Sequence, residues 1–191
     1  MPALAAENVL QRHTVMVDGH PISVHGKRPA RPRAAVLLVH GRTWSGLPDF
    51  DLQVSGAQVS LMDALVAAEV AVYAVDLRGY GATPRDATGF ATPKQSAVDV
   101  AAVLRFVQAD AGVAGPPFLL GWSMGALVSA LTVGEHDPFV DSGCMADHFN
   151  QLHGVDRRWE ILAGADHAAH LESASVHFVA AVVGFIRENG S

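Results

Sequence analysis

Two short, unbroken apolar runs constrain this chain most: Ala34-Ala35-Val36-Leu37-Leu38-Val39 and Ala71-Val72-Tyr73-Ala74-Val75. A strand with one wet face alternates apolar and polar residues, whereas a strand covered on both faces reads as a continuous aliphatic run. Both runs are far too short to span a bilayer. They predict inner strands of a mostly parallel sheet with helices on both faces. The flanking segments agree. Leu61, Met62, Leu65, Val66 and Val70 have helical spacing, and Thr92-Pro93 supplies a cap and a first-turn proline for a helix with Val98, Val100, Ala101, Val103, Leu104, Phe106 and Val107 on its apolar face. Upstream, His13 to Val17 and Pro21 to Val24 flank Asp18-Gly19, which predicts an antiparallel hairpin at the leading edge. Lys27 to Arg33 is basic and broken by prolines, and reads as a solvated surface connector. Towards the carboxyl end, Met145, His148, Phe149 and Leu152 have helical spacing, Arg158 to Ala163 alternates like a strand, and Val176 to Ile186 forms a closing helix. The expected architecture is one three-layer α/β domain over residues 1–191.

Composition narrows the classes of function. Half of the 191 residues are apolar, enough for a substantial core, and the formal net charge is -6. The thirteen Lys and Arg are dispersed, so no electrostatic footprint for nucleic acid or an anionic membrane is expected. Cys144 is the only cysteine, which excludes an intrachain disulfide; it reads as a small buried hydrophobe and fits a reducing compartment. The amino-terminal stretch has no basic n-region and its apolar part ends too early for a signal peptide, so a cytoplasmic location is expected. The ten histidines show no HExxH or similar spacing, and neither a metal nor a cofactor is expected.

The chemistry is carried by Gly121-Trp122-Ser123-Met124-Gly125, which follows the apolar run Pro117-Phe118-Leu119-Leu120 and leads into Ala126-Leu127-Val128. A serine at the tip of a strained strand-to-helix turn needs small neighbours two residues before and after, and this segment has that pattern. The reading is of a nucleophile elbow at Ser123. His40-Gly41-Arg42-Thr43-Trp44 directly follows a buried strand, where the backbone NH of Arg42 can join that of Met124 in an oxyanion hole. The Arg42 side chain is expected to face solvent or a substrate rim, and His40 to be a structural hydrogen-bonder. His167, on the loop after the last expected strand, is the candidate base; His170, one helical turn on, is assigned to the following loop or helix. Asp137 is the candidate acid, on the exit loop of a short strand at Leu131 to Gly134, although Asp137-Pro138 also reads as a simple turn start.

The order Ser123, Asp137, His167, together with His40-Gly41, Asp76-Leu77-Arg78-Gly79-Tyr80-Gly81 after a strand, and Gly164-Ala165-Asp166-His167, resembles the α/β-hydrolase superfamily over nearly the whole chain. The resemblance implies an α/β-hydrolase fold and acyl-enzyme chemistry, with Asp76 to Gly81 buttressing the loop beside the site; it does not specify a substrate. One departure is marked. Only Met124 to Ala130 separates Ser123 from the expected strand at Leu131, and these seven residues rise about 10 Å as helix. A parallel crossover normally needs a dozen or more. Either a block has been lost and the strand remains, or the elbow helix continues through about His136 and carries Asp137 away from His167, with Asp156 as fallback acid. The expected sheet is accordingly reduced and lacks a substantial lid. Two functions are expected in competition. One is a serine hydrolase of small-molecule carboxylic esters or related acyl substrates. The other is a shortened, weakly catalytic domain that binds a partner or self-associates as a homo-oligomer through an exposed sheet edge.

Overall fold

A computed structural model describes residues 9–133, 170–171 and 175–190. Among the described residues five strands form one sheet: β1 (Gln11–Val17), β2 (His20–Lys27), β3 (Ala34–Val39), β4 (Val70–Val75) and β5 (Phe118–Gly121), in spatial order β1-β2-β4-β3-β5. β2 is antiparallel to both neighbours, whereas β3 is parallel to β4 and β5, so β2 alone opposes the other four. The described helices are α1 (Gly46–Phe50), α2 (Leu61–Ala67), α3 (Pro93–Asp110), α4 (Met124–Val133) and α5 (Ser175–Asn189).

Burial on both faces of the apolar runs creates two cores. Ala35, Leu37 and Val39 point to one side with Val100, Val103 and Val107 of α3 and Val128 of α4, whereas Val98, expected on the same face of α3, is turned outward and exposed. Ala34, Val36 and Leu38 point to the other with Phe50 of α1, Leu61, Met62 and Leu65 of α2 and Ile186 of α5. This is the expected three-layer arrangement. β3 is followed by β4 on one side, and after α3 the chain crosses to β5 on the other side of β3. That reversal makes a topological switch point at the carboxyl ends of β3 and β5, where open α/β sheets bind ligands.

Local chemistry fixes the element ends. Asp18 and Gly19 both have positive φ, 49° and 77°, the paired left-handed geometry that a two-residue hairpin of matching twist requires. Thr92 Oγ1 accepts from the Gln95 NH at 3.1 Å and Pro93 occupies the first turn of α3, as expected. Ser60 caps α2 in the same way, accepting from Asp63 NH. Val70 departs from its expected place: α2 stops at Ala67, Glu69 turns through φ 66°, and Val70 opens β4 opposite Ala34.

The connector reading of Lys27 is also corrected. Lys27 ends β2 and is buried, with Nζ donating to Asp51 Oδ1 and Asp63 Oδ1, both at 2.6 Å. Burial alone would lower its pKa, but the two carboxylates outweigh that and hold it above 10.5. Arg78, likewise, makes a two-pronged ion pair with the fully buried Asp99 of α3, at 2.7 and 2.8 Å. This attaches the loop after β4 to the helix layer.

Candidate active site

The parallel register pairs Val39 with Gly121, so β3 and β5 end level and their exit loops emerge side by side. The Trp122 NH extends that pairing by donating to Val39 O at 3.0 Å. Ser123 then turns sharply, with φ 54°, and α4 begins at Met124. Left-handed backbone is unusual for a residue with a Cβ, and an observed case marks a position held by its surroundings. The surroundings here are two backbone contacts that only glycine permits. A Cβ on Gly121 would lie 2.2 Å from Gly125 O, and one on Gly125 would lie 2.0 Å from Val39 O. The side chain of Ser123 is exposed at the tip.

Across from it runs the loop after β3. A Cβ on Gly41 would fall 2.5 Å from the Trp122 ring and 3.2 Å from Ser123 Cβ, so this loop lies directly against the elbow. Arg42 follows with an exposed side chain, and Thr43 has φ 72°. His40 is fully buried, and both its ring nitrogens are engaged. The Leu77 NH donates to Nε2 at 3.1 Å, so the proton sits on Nδ1, which donates to Gly41 O at 2.7 Å. Burial holds the His40 pKa below 6.5, against weaker opposing effects of Gly41 O, Asp76 and Asp49.

Two buried carboxylates fasten this loop. Asp76 Oδ1 accepts from Gly46 NH and Oδ2 from Ala82 NH and His25 Nε2, all at 2.8 Å. Burial would raise the Asp76 pKa, but these hydrogen bonds together keep it below the usual carboxylate range. A Cβ on Gly81, at φ 52°, would overlap the Asp76 carboxylate, which accounts for the glycine. Asp49, on α1, accepts from Gly41 NH at 3.2 Å and from His170 Nε2 at 2.8 Å. Neither Asp49 nor the buried position of His170 was anticipated from the sequence; an aspartate and a histidine 121 residues apart leave no local signal.

An acid-sensitivity follows from these groups. His40 is neutral when folded and its pKa is depressed, so lowering pH protonates the unfolded chain first. The stability this contributes is complete above pH 6.5 and is lost as pH falls from there through the folded pKa. Asp76 acts with the same sign in the carboxylate range. Urea midpoints measured against pH are expected to decline below 6.5 in the wild type and to decline less in His40→Gln.

α4 is helical through Val133, so Leu131, Thr132 and Val133 follow the continuing-helix reading rather than the short-strand one. Asp137, Asp156, Cys144, His167 and the expected strand at 158–163 lie outside the described residues. Among the described residues no three His, Cys, Asp or Glu side chains converge as a metal site requires. No described helix is long and apolar enough to cross a membrane. Thr43, Trp44, Pro48 and Tyr80 line an open depression of about 480 Å³ between the loops after β3 and β4, and the Trp44 ring lies 6.1 Å from that of Trp122.

The sequence model of the family described as serine aminopeptidase, S33, matches residues 30–145, more than half of the chain and inclusive of the elbow. The chain belongs to this family of α/β hydrolases. Among solved structures, a predicted CIB-like hydrolase from Thermoplasma acidophilum superposes with a TM-score of 0.65 at 20% identity, covering 94% of this chain and 99% of that one. An epoxide hydrolase from Vigna radiata gives 0.51 at 24% identity over 68% of this chain and 35% of its own. The thioesterase domain from the curacin biosynthetic pathway gives 0.50 at 21% identity, over 64% and 38%. This α/β hydrolase therefore spans little more than a third of the latter two proteins but nearly the full length of the first. No curated protein sequence matches it. At these identities the structural likenesses establish the fold, and membership of a hydrolase family supports hydrolytic activity.

Proposed function

We propose that this hydrolase cleaves carboxylic esters or related small acyl substrates through an acyl-enzyme on Ser123. The observation that carries the reading is the elbow itself: an exposed serine at φ 54°, at the switch point of the sheet, held by glycine contacts at positions 121 and 125. Ser123 Oγ attacks the carbonyl carbon while its proton passes to His167, and Asp137 orients that imidazole. The tetrahedral oxyanion is held by the NH groups of Met124 and Arg42, a role for Arg42 supported by the close approach of its neighbour Gly41 to Ser123 Cβ. Collapse expels the alcohol, which takes the proton from His167. Water then attacks the acyl-enzyme by the same route in reverse. No cofactor enters this route.

A fluorophosphonate probe, which phosphonylates activated serines, tests the reading. Wild type is expected to label and to turn over short-chain aryl esters, and Ser123→Ala to do neither. Equal labelling of the two proteins would refute it.

A further inference from the structure

We propose that Asp49 and His170 are positioning residues that tie the loop bearing the oxyanion donor to the loop bearing the base. The proposal deepens the reading of Ser123, Arg42 and His167 given above and rests on it for its catalytic consequence.

The loop after β3 is anchored at both ends by buried carboxylates: Gly41 NH donates to Asp49 Oδ2 at 3.2 Å and Gly46 NH to Asp76 Oδ1 at 2.8 Å. The two anchors differ in what lies behind them. Asp76 is backed by His25 of β2 and by Ala82 of the loop after β4, which belong to the sheet's own frame. Asp49 is backed by His170, three residues beyond His167 in sequence. One fully buried carboxylate therefore joins the loop after β3, which lies against the elbow, to His170, from a distant part of the chain.

Chemistry favours a specific tie over incidental packing. A carboxylate buried away from water must take its hydrogen bonds from protein donors, so Asp49 fixes both of its partners, and the bond from His170, at 2.8 Å, is the shorter of the two. With His170 Nε2 as donor at 2.8 Å and Gly41 NH as the other, each oxygen is satisfied by a different loop. The His170 ring is also set among Trp122, Phe50 and Phe178, at centroid distances of 5.2, 5.6 and 5.8 Å. Trp122 directly precedes Ser123, and its ring faces Gly41. Loosening Asp49 or His170 would let the Arg42 NH and the His167 loop shift relative to the elbow, and misplacement by about 1 Å costs on the order of a hundredfold in rate.

Three variants separate this role from packing. His170→Phe keeps an aromatic ring against its three neighbours but removes the N–H, and is expected to lower kcat about ten- to a hundredfold with KM within about twofold. His170→Gln loses the ring but keeps a donor, and is expected to retain most of kcat. Asp49→Asn is expected to slow kcat like His170→Phe, and combining the two to add little, as for residues acting as one unit. A role confined to packing predicts the opposite order, with His170→Phe active and His170→Gln impaired, and that order would overturn the proposal. Should His170→Phe not fold, Asp49→Asn and His170→Gln carry the comparison; both at wild-type kcat, or both equally impaired, would count against the tie.

A wild type that fails to label at Ser123 refutes the catalytic reading and not the tie. Hydrogen exchange of residues 41–46 then decides it: faster exchange in Asp49→Asn than in wild type supports the tie, and unchanged exchange overturns it.

Discussion

Replacing Ser123 by alanine is expected to lower kcat/KM for a short-chain aryl ester by on the order of 10⁵-fold or more, with the unfolding midpoint essentially unchanged. The hydroxyl is exposed and the structure gives it no packing role, so its removal deletes the nucleophile without opening a cavity. Alanine still carries a Cβ, so it inherits the strain of φ 54°. Ser123→Gly is the informative partner. It also removes the nucleophile, but a glycine takes left-handed backbone at no steric cost, and the Cβ penalty there is about 1–2 kcal/mol. Ser123→Gly is therefore expected to be inactive and more stable than either wild type or Ser123→Ala, by about 1 kcal/mol in urea unfolding. A serine kept at a position where glycine would be more stable is strain retained for chemistry. If Ser123→Gly is instead less stable than wild type, the turn is not strained and the strongest physical support for the elbow falls away.

What could be read from the sequence divides by the range of the interactions involved. The runs at 34–39 and 71–75 located β3 and β4 because burial on both faces leaves no room for polar alternation, a property of the segment itself. Asp18-Gly19 and Thr92-Pro93 were legible for the same reason: turn and cap chemistry acts over a few residues. Val70 was misplaced because apolar spacing does not reveal where a helix breaks; the left-handed turn at Glu69 does. α1 was missed because five residues containing Pro48 have no periodicity to detect. At 131–133 the sequence left a short strand and a continuation of the elbow helix both open, and the continuous helix-forming segment from Met124 decides for the helix. Lys27 read as solvated because its partners, Asp51 and Asp63, are 24 and 36 residues away. The candidate site shows the same division. Ser123 and its glycines form a local motif and were found, whereas Asp49 and His170 meet only when the chain is folded.

Substituting alanine for Gly125 is expected to damage both stability and any activity, more than any other single methyl added near the site. An added Cβ would sit 2.0 Å from Val39 O and 2.7 Å from His40 O, contacts made by rigid backbone at the end of β3. No side-chain rotation relieves them, so α4 must move away from the sheet by more than 1 Å. Overpacking of this kind costs about 1–3 kcal/mol, and the absence of a flexible neighbour puts Gly125→Ala at the upper end. The displaced segment carries Ser123 and the Met124 NH, so kcat should fall by about a hundredfold or more even where the protein remains folded. Gly19→Ala provides the contrast. Its Cβ meets nothing within 4 Å, and its cost is only that of a left-handed backbone at φ 77°, far from the elbow. Comparable losses of stability in the two variants with loss of turnover in Gly125→Ala alone would locate the effect in the geometry of the turn. Equal turnover in both, at equal folded fraction, would mean that the close packing of α4 on β3 is not what holds Ser123 in place.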